Sequence, residues 1–308
     1  MIPNKVANWI NGKEIQAESG KTFKKVSPHS GEILCKVARS TKTDIDHAVA
    51  VAKQAQIDWS NMPAVQRGHL LHQICNALEL QKERIASIVA LETGKSHQEA
   101  LGEIGGAIAL GRFYAGEGQR LYGRTTTSGV ENKYASTVRQ PCGVAGLIIA
   151  ANTPIANVAW KVFPALICGN GVVLKAAEDT PATAWIFAKI AQEAGLPLGV
   201  LNVIQGLGVE AGAPLVEHND VDVISFTGST CVGRWIAETA GKRLAKVSLE
   251  LGGKNPLIVC DDADIDNAVN WVCLSAFSNA GQRCASGSRI IVFDSIYDEF
   301  KEKLLLAT

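Results

Sequence analysis

The chain has 308 residues, of which 47% are hydrophobic and 19% are charged. This composition predicts a folded protein with a large core and room for two domains, and it excludes a disordered chain. The 30 basic and 30 acidic side chains cancel, so no basic surface indicates a nucleic-acid partner.

Compartment and membrane association are also constrained by the sequence. The N-terminus lacks the apolar stretch of a signal peptide, and apolar runs such as 144–151 are too short to cross a bilayer. The eight cysteines are scattered and include no CxxC pair, which favours reduced thiols and indicates no metal site. We therefore expect a cytoplasmic protein with no membrane partner.

The first 122 residues pass from short strands to helices. Asn11-Gly12 and Ser30-Gly31 interrupt the extended segments. From Ile45 the apolar residues recur at three- and four-residue spacing, with Thr43 as the expected cap. The same pattern predicts further helices over 65–80, 85–91 and 104–122.

Residues 123–141 differ from both neighbouring regions because they are rich in threonine and other polar residues. The pattern predicts an extended hairpin that is too polar to be a core element. Contact with another subunit and a plain surface hairpin are both compatible with this composition.

Strands and helices alternate regularly from residue 142 onward. Apolar strands are predicted over 144–150, 172–175, 201–204, 221–226 and 246–250, with helices between them, including one over 209–218. Continuous apolar strands separated by helices indicate a parallel sheet that is covered on both faces. The predicted fold class is α/β, with a doubly wound, Rossmann-like parallel sheet.

A glycine-containing turn follows the fourth of these strands. Gly228, Ser229 and Gly233 lie where a strand passes into a helix, and there backbone N–H groups and the helix dipole favour a phosphate. The GxGxxG pattern is absent, so an ordinary strand-to-helix turn is an equally good interpretation of this segment alone.

Polar residues also follow two other strands of the predicted sheet. Lys175 and Glu178 lie at the carboxyl end of a buried strand, where doubly wound sheets bind their ligands. Glu178 would accept hydrogen bonds from ribose hydroxyls, although a solvated Lys–Glu pair is the commoner case. Asn152 follows the first strand, where its amide would donate to an oxyanion, although Asn-Thr-Pro is also typical of a turn.

Two reactive side chains lie near the C-terminal end of the sequence. Cys284 lies in a segment of small and polar residues without apolar periodicity, unlike a buried structural cysteine. Glu250 ends an apolar strand, where burial would penalise a carboxylate that has no function. A thiol and a carboxylate together are suited to covalent catalysis followed by hydrolysis.

Taken together, these residues resemble the aldehyde dehydrogenase superfamily over almost the whole chain. The most specific matches are Phe226-Thr227-Gly228-Ser229, Leu249-Glu250-Leu251-Gly252-Gly253-Lys254 and Gly281-Gln282-Arg283-Cys284. The resemblance implies NAD-dependent oxidation of an aldehyde to a carboxylic acid through a cysteine thiohemiacetal and thioester.

The resemblance also implies a role for each matching residue. Cys284 would be the nucleophile, Asn152 and the backbone N–H of Cys284 would stabilise the oxyanion, and Glu250 would activate the water that hydrolyses the thioester. The implied cofactor-binding residues are Ile149, Lys175, Glu178, Gly228, Ser229, Gly233 and Leu251. NAD is expected rather than NADP, because Glu178 would repel a 2′-phosphate.

The same resemblance divides the chain into regions. We expect an N-terminal helical part of the cofactor domain (1–122), an oligomerisation hairpin (123–141), a dinucleotide-binding domain (142–250) and an incomplete catalytic domain that carries the cysteine (251–308). The full-length form is expected to be a homodimer or homotetramer.

The sequence departs from the family pattern in two places. Ala150-Ala151-Asn152 replaces the usual Pro-Trp-Asn, so packing beside the nicotinamide would differ. The family's Glu-x-Phe-Gly-Pro segment, whose glutamate binds the nicotinamide ribose, has no counterpart here.

Two alternatives remain open on the sequence. A chain truncated in this way would be a non-catalytic, dinucleotide-binding fragment. A relative that passes the thioester to coenzyme A is the other alternative, and Glu250 argues against it because a water-activating base serves hydrolysis.

Overall fold

The computed structural model describes residues 2–308, which form two compact units, one ending at Glu250 and the other spanning Leu251–Thr308. The first unit begins with strands β1 (Lys5–Val6), β2 (Asn8–Ile10), β3 (Lys13–Ile15), β4 (Thr22–Val26) and β5 (Ile33–Ala38). Four helices follow, α1 (Lys42–Asn61), α2 (Ala64–Leu80), α3 (Lys82–Thr93) and α4 (His97–Glu117).

The rest of the first unit alternates strands and helices. Its elements are β6 (Thr125–Thr127), β7 (Tyr134–Ser136), β8 (Val144–Ile148), α5 (Pro154–Ile167), β9 (Gly171–Lys175), α6 (Pro181–Glu193) and β10 (Leu201–Ile204). A π-helical turn (Gly208–Gly212), α7 (Ala213–Glu217), β11 (Val223–Gly228) and α8 (Thr230–Gly241) come next. Strand β12 (Lys246–Leu251) runs across the boundary between the units.

A seven-stranded sheet of order β12-β11-β8-β9-β10-β2-β3 forms the centre of the first unit. Strands β11, β8, β9 and β10 are parallel to one another, and β2 and β3 add an antiparallel edge next to β10. Every residue of β8 and β9 is buried, because helices cover both faces of the sheet. The predicted doubly wound α/β fold is confirmed.

Several predicted helix boundaries were wrong because capping bonds override apolar spacing. Helix α1 begins at Lys42, where the Thr41 backbone N–H donates to Asp44 at 2.9 Å, so the cap is Thr41 and not Thr43. Helix α4 begins at His97 instead of residue 104, because Ser96 and Glu99 form a capping box. The helix predicted over 209–218 is instead the π-helical turn followed by α7.

Residues 123–141 contain the predicted hairpin. Strands β6 and β7 pair antiparallel, with Thr125 opposite Ser136, and every residue of both strands is exposed. Tyr134 is 89% exposed, so the hairpin contributes no side chain to the core of this chain.

The second unit contains β13 (Asn255–Val259), α9 (Ile265–Phe277), a 3₁₀ turn (Ser278–Gly281), β14 (Gly287–Val292), a second 3₁₀ turn (Asp294–Ile296) and α10 (Tyr297–Ala307). Strands β13 and β14 are parallel. Val259, Val269, Val272 and Phe300 form the small buried core of this unit. No helix within residues 2–308 of either unit has the length and apolar character needed to cross a membrane.

A buried carboxylate caps one helix of the first unit from a distant part of the sequence. Glu92, at the end of α3, accepts backbone N–H bonds from Ala182 at 2.7 Å and Thr183 at 2.9 Å, in the first turn of α6. Thr180, the residue before this helix, makes no side-chain cap of its own. Burial raises the pKa of Glu92 to about 7, although the bonds from Thr183 and Ala182 and the Lys25 charge lower it.

The raised pKa of Glu92 predicts a pH-dependent stability. The native carboxyl keeps its proton up to about pH 7, whereas the ordinary value is 4.5, so its contribution to the free energy of unfolding is present at pH 4.5 and is lost as the pH rises through 7. We expect the difference in Tm between wild type and Glu92→Gln to decrease from pH 5 to pH 7, measured by calorimetry. A difference that is constant over this range would contradict the assignment.

Candidate active site

The carboxyl ends of the parallel strands lie level with one another. Ile148 of β8 pairs with Lys175 of β9, which in turn pairs with Ile204 of β10, and Phe226 of β11 pairs with Ile148 on the other side. The predicted residue Ile149 continues this edge, since its N–H donates to the Lys175 carbonyl at 3.4 Å. Residues that follow these strands are therefore brought to one edge of the sheet, where α/β folds bind ligands.

Lys175 and Glu178 form an ion pair at this edge. The Lys175 Nζ lies 2.7 Å from Glu178 Oε2, and their side chains are 2% and 42% exposed. Burial lowers the pKa of Lys175, and the nearby Glu178 partly restores it. Burial alone would raise the pKa of Glu178, but the charge and hydrogen bond of Lys175 and the backbone N–H of Gly208 lower it overall. Each group of the pair therefore favours the charged form of the other.

Gly228 and Ser229 form the junction between β11 and α8. A Cβ at Gly228 would lie 2.4 Å from Cζ of Phe226, so a larger residue there would displace this buried ring. Ser229 caps the helix, since its Oγ accepts the Val232 N–H at 3.3 Å, while Gly233 is buried in the first turn. The remaining first-turn N–H groups have no acceptor within the helix and suit an anion such as a diphosphate.

Asn152 lies between β8 and α5 and is half-buried. Its Oδ1 accepts a hydrogen bond of 3.5 Å from Nδ2 of Asn157, which is fully buried and also donates to the Thr153 carbonyl and Oγ1. This contact holds the Asn152 amide oxygen against the first turn of α5.

Glu250 is exposed, contrary to the buried position that its apolar strand suggested. Strand β12 is at the edge of the sheet and alternates exposed and half-buried residues, so one of its faces is not covered by helices. The nearby Lys161 is only 5% exposed and donates to Ser225 Oγ at 2.8 Å. Burial lowers the pKa of Lys161 to about 8, and the Glu250 charge opposes this shift.

Leu251 and Cys284 belong to the second unit. Cys284 is exposed in a turn between α9 and β14, and its carbonyl accepts a hydrogen bond of 2.6 Å from Asn255 Nδ2. Asn255 begins β13, so the paired strands of this unit fix the backbone beside the thiol. The contact between Asn255 and the Cys284 carbonyl could not be predicted from the sequence.

The segment before Cys284 has an unusual backbone. Asn279, Ala280 and Gly281 have φ values of 55°, 55° and 70°, in the left-handed region. Asparagine and glycine adopt this conformation readily, whereas alanine is destabilised there by roughly 1–2 kcal/mol. The buried Asn279 stabilises the turn by donating to the Gln282 carbonyl at 3.0 Å. Strained backbone of this kind is concentrated at functional sites.

The chain matches the model of a known protein family over most of its length. The model for the aldehyde dehydrogenase family matches residues 15–308. The chain belongs to the aldehyde dehydrogenase family.

Individual aldehyde dehydrogenases are similar to the chain over nearly all of its length. The mitochondrial benzaldehyde dehydrogenase of Antirrhinum majus is 44% identical over 298 residues, which are 96% of this chain and 56% of that protein. A structure of an NADP-dependent E. coli enzyme has a TM-score of 0.96 and 38% identity, covering 98% of this chain and 63% of its own.

A structure solved with nicotinamide adenine dinucleotide has the same TM-score. PnpE from Pseudomonas sp. WBC-3, solved with nicotinamide adenine dinucleotide, has a TM-score of 0.96 and 36% identity, covering 98% of this chain and 62% of PnpE. The chain therefore spans 56% to 63% of the length of these three proteins.

Two buried polar residues of α5 were not among the predicted site residues. Lys161 and Asn157 both lie on α5 among apolar residues and are buried, so the pattern shows only a core helix. The presence of two polar residues in such an apolar helix could have marked these positions in the sequence, because buried polar groups require partners.

Within residues 2–308, no cluster of His, Cys, Asp or Glu side chains is arranged to bind a metal ion.

The Ser229 cap gives a prediction about this edge. Ser229→Ala removes the acceptor for the Val232 N–H, and we expect the free energy of unfolding to fall by about 1 kcal/mol. Ser229→Thr keeps a hydroxyl and is the matched control. Urea denaturation measures both variants, and equal stabilities for the alanine variant and wild type would contradict the capping role.

Proposed function

We propose that the protein containing this chain oxidises an aldehyde to a carboxylic acid with NAD as the hydride acceptor. Family membership supports the reaction class. In this chain, the proposal is supported most by four residues that lie along one level edge of the sheet. These residues are Asn152, Lys175, Glu178 and Gly228. NAD, when bound, supplies the acceptor for the hydride.

The residues at the sheet edge fit a dinucleotide. The open N–H groups at the start of α8, next to Gly228, would bind the diphosphate. Glu178 would accept hydrogen bonds from the adenosine ribose hydroxyls, with Lys175 fixing its carboxylate in place. Ile149, Gly233 and Leu251 are proposed to contact the cofactor as well.

Acylation begins at Cys284 in this proposal. The thiolate sulfur forms a bond to the aldehyde carbon, and the carbonyl π electrons move to oxygen. The Asn152 amide and the Cys284 backbone N–H donate hydrogen bonds to that oxygen and stabilise its charge. When the oxygen electrons re-form the C=O bond, hydride leaves the carbon and a thioester remains on Cys284.

Hydrolysis releases the acid. Glu250 accepts a proton from a water molecule as the water oxygen attacks the thioester carbon. The carbon–sulfur bond then breaks, the carboxylic acid leaves and the Cys284 thiolate is restored. The exposure of Glu250 is consistent with a base that must meet water.

Two substitutions separate these steps. In the full-length gene product, Cys284→Ala should lower kcat/KM by at least 10³-fold, because no covalent intermediate can form. Glu250→Gln should instead preserve an initial burst of NADH and slow steady turnover by about 10²-fold or more. Stopped-flow absorbance at 340 nm (a wavelength specific for NADH) follows both, with benzaldehyde, acetaldehyde and succinic semialdehyde as trial substrates.

The control for this pair is another exposed cysteine of the same unit. Cys260 is exposed and precedes α9, and Cys260→Ala should leave both phases unchanged. Substantial turnover in the Cys284→Ala variant would exclude the proposed nucleophile. If coenzyme A is added to the assay and acyl-CoA forms instead of free acid, coenzyme A and not water is the acceptor.

Glu178 is proposed to determine the preference for NAD over NADP. Its carboxylate would repel a 2′-phosphate, and in Glu178→Gln the buried Lys175 would be free to pair with that phosphate. We expect the ratio of kcat/KM for NAD to that for NADP to fall by about 10-fold or more, since two charge interactions change together. The matched control is Glu117→Gln, which breaks the Arg120–Glu117 ion pair at the end of α4. An unchanged ratio in Glu178→Gln would disprove this role.

The hairpin of residues 123–141 is proposed to contact another subunit of a homodimer or homotetramer. Its support is the exposure of Val130, Tyr134 and Val138, which are 55%, 89% and 73% exposed in the isolated chain. Exposed aromatic and aliphatic side chains on one segment are typical of interaction surfaces.

A further inference from the structure

A buried ion pair lies beside the proposed oxyanion site but outside the residues assigned above. Lys95 Nζ is 2.5 Å from Glu103 Oε2, and the two side chains are 3% and 6% exposed. Buried charges of this kind are stable only when both partners are fully hydrogen-bonded. Their remaining bonds show what the pair contacts.

Local capping signals place the two residues opposite α5. Gly94 ends α3 with a left-handed φ of 77°, which directs the chain away from the helix axis. Ser96 begins α4, so Lys95 is confined to the short connection between the helices. Glu103 lies on α4, which packs against α5.

The pair binds the Asn152 turn on both sides. Lys95 Nζ donates to the Asn152 carbonyl oxygen at 2.9 Å. Glu103 Oε1 accepts the backbone N–H groups of Ile155 at 2.9 Å and Ala156 at 3.1 Å, in the first turn of α5. Thr153, the residue before that helix, supplies no side-chain cap. Glu103 therefore replaces the local cap and, with Lys95, fixes the backbone that carries Asn152.

We propose that Lys95 and Glu103 are positioning residues that hold the Asn152 amide where it stabilises the oxyanion. The inference rests on the proposed function and adds to it two residues that touch neither substrate nor cofactor. A buried ion pair contributes little net stability compared with apolar residues, but it specifies one arrangement of the groups it binds. An oxyanion donor needs such a fixed arrangement, because a displacement of about 1 Å lowers the rate by as much as 10²-fold.

Glu103→Gln tests the proposal in the full-length gene product. Glutamine keeps an oxygen for the α5 amides but lacks the charge that holds Lys95. We expect kcat/KM to fall 10- to 100-fold, while the dissociation constant for NAD stays within about twofold. The aldehyde is whichever of benzaldehyde, acetaldehyde and succinic semialdehyde turns over fastest. If the single variant does not fold, the double variant Lys95→Met with Glu103→Gln replaces it. The double variant leaves no unpaired buried charge, and its kcat/KM should fall by the same 10- to 100-fold.

A double-mutant cycle distinguishes positioning from general destabilisation. If the pair acts through Asn152, Glu103→Gln should cause no further loss of kcat/KM in an Asn152→Ala background. Arg67→Met is the matched control, since Arg67 is a buried cation that donates to the Ile167 carbonyl at the opposite end of α5. It should lower the Tm yet leave kcat/KM within about twofold. Additive losses in the cycle would overturn the proposal.

Hydrogen exchange tests whether the ion pair fixes the backbone around Asn152, and it does so without an activity measurement. The amides of Asn152, Thr153, Ile155 and Ala156 should lose protection in Glu103→Gln, with little change at the other end of α5. If wild type oxidises none of the three aldehydes but these amides lose protection, the proposed function fails and the positioning of Asn152 by the pair stands. Unchanged protection at residues 152–156 would overturn the inference even in an active enzyme.

Discussion

The parallel register of β8, β9, β10 and β11 is the constraint on which the candidate site depends. Because hydrogen bonds align Ile148 with both Lys175 and Phe226, each strand ends at the same level. The chain must turn there, so polar residues at those turns lie along one edge although they are far apart in the sequence. Asn152, Glu178 and Ser229 reach one edge for this reason, although 77 residues separate the first from the last (229 minus 152).

Buried charges near this edge occur in ion pairs. Lys175 is almost completely buried but pairs with Glu178, and Lys95 pairs with Glu103 against the Asn152 turn. Glu178 also accepts a backbone N–H from Gly208, and both Lys95 and Glu103 bond to backbone groups of the Asn152 turn or of α5. The ion pairs therefore fix loop conformations as well as neutralising charge, which is the preorganisation that binding of a dinucleotide and stabilisation of an oxyanion require.

The parts of the fold that depend on local pattern could be predicted from the sequence. Apolar runs gave β8 and β9, and Gly228-Ser229 marked a strand-to-helix junction that the structure contains. The exposure of Glu250 could not be predicted, because strand order decides that β12 is an edge strand and strand order is not local. Contacts over long separations, such as Lys95 with Asn152, were hidden for the same reason.

The proposed mechanism is tested most directly by trapping its covalent intermediate. The Glu250→Gln form of the full-length gene product would be incubated with NAD and an aldehyde that wild type oxidises, then quenched in acid and digested. Peptide mass spectrometry should find the acyl group on Cys284, and only when NAD is present, because the thioester forms after hydride transfer. An acyl group on another cysteine, or none on Cys284 despite a burst of NADH, would contradict the mechanism.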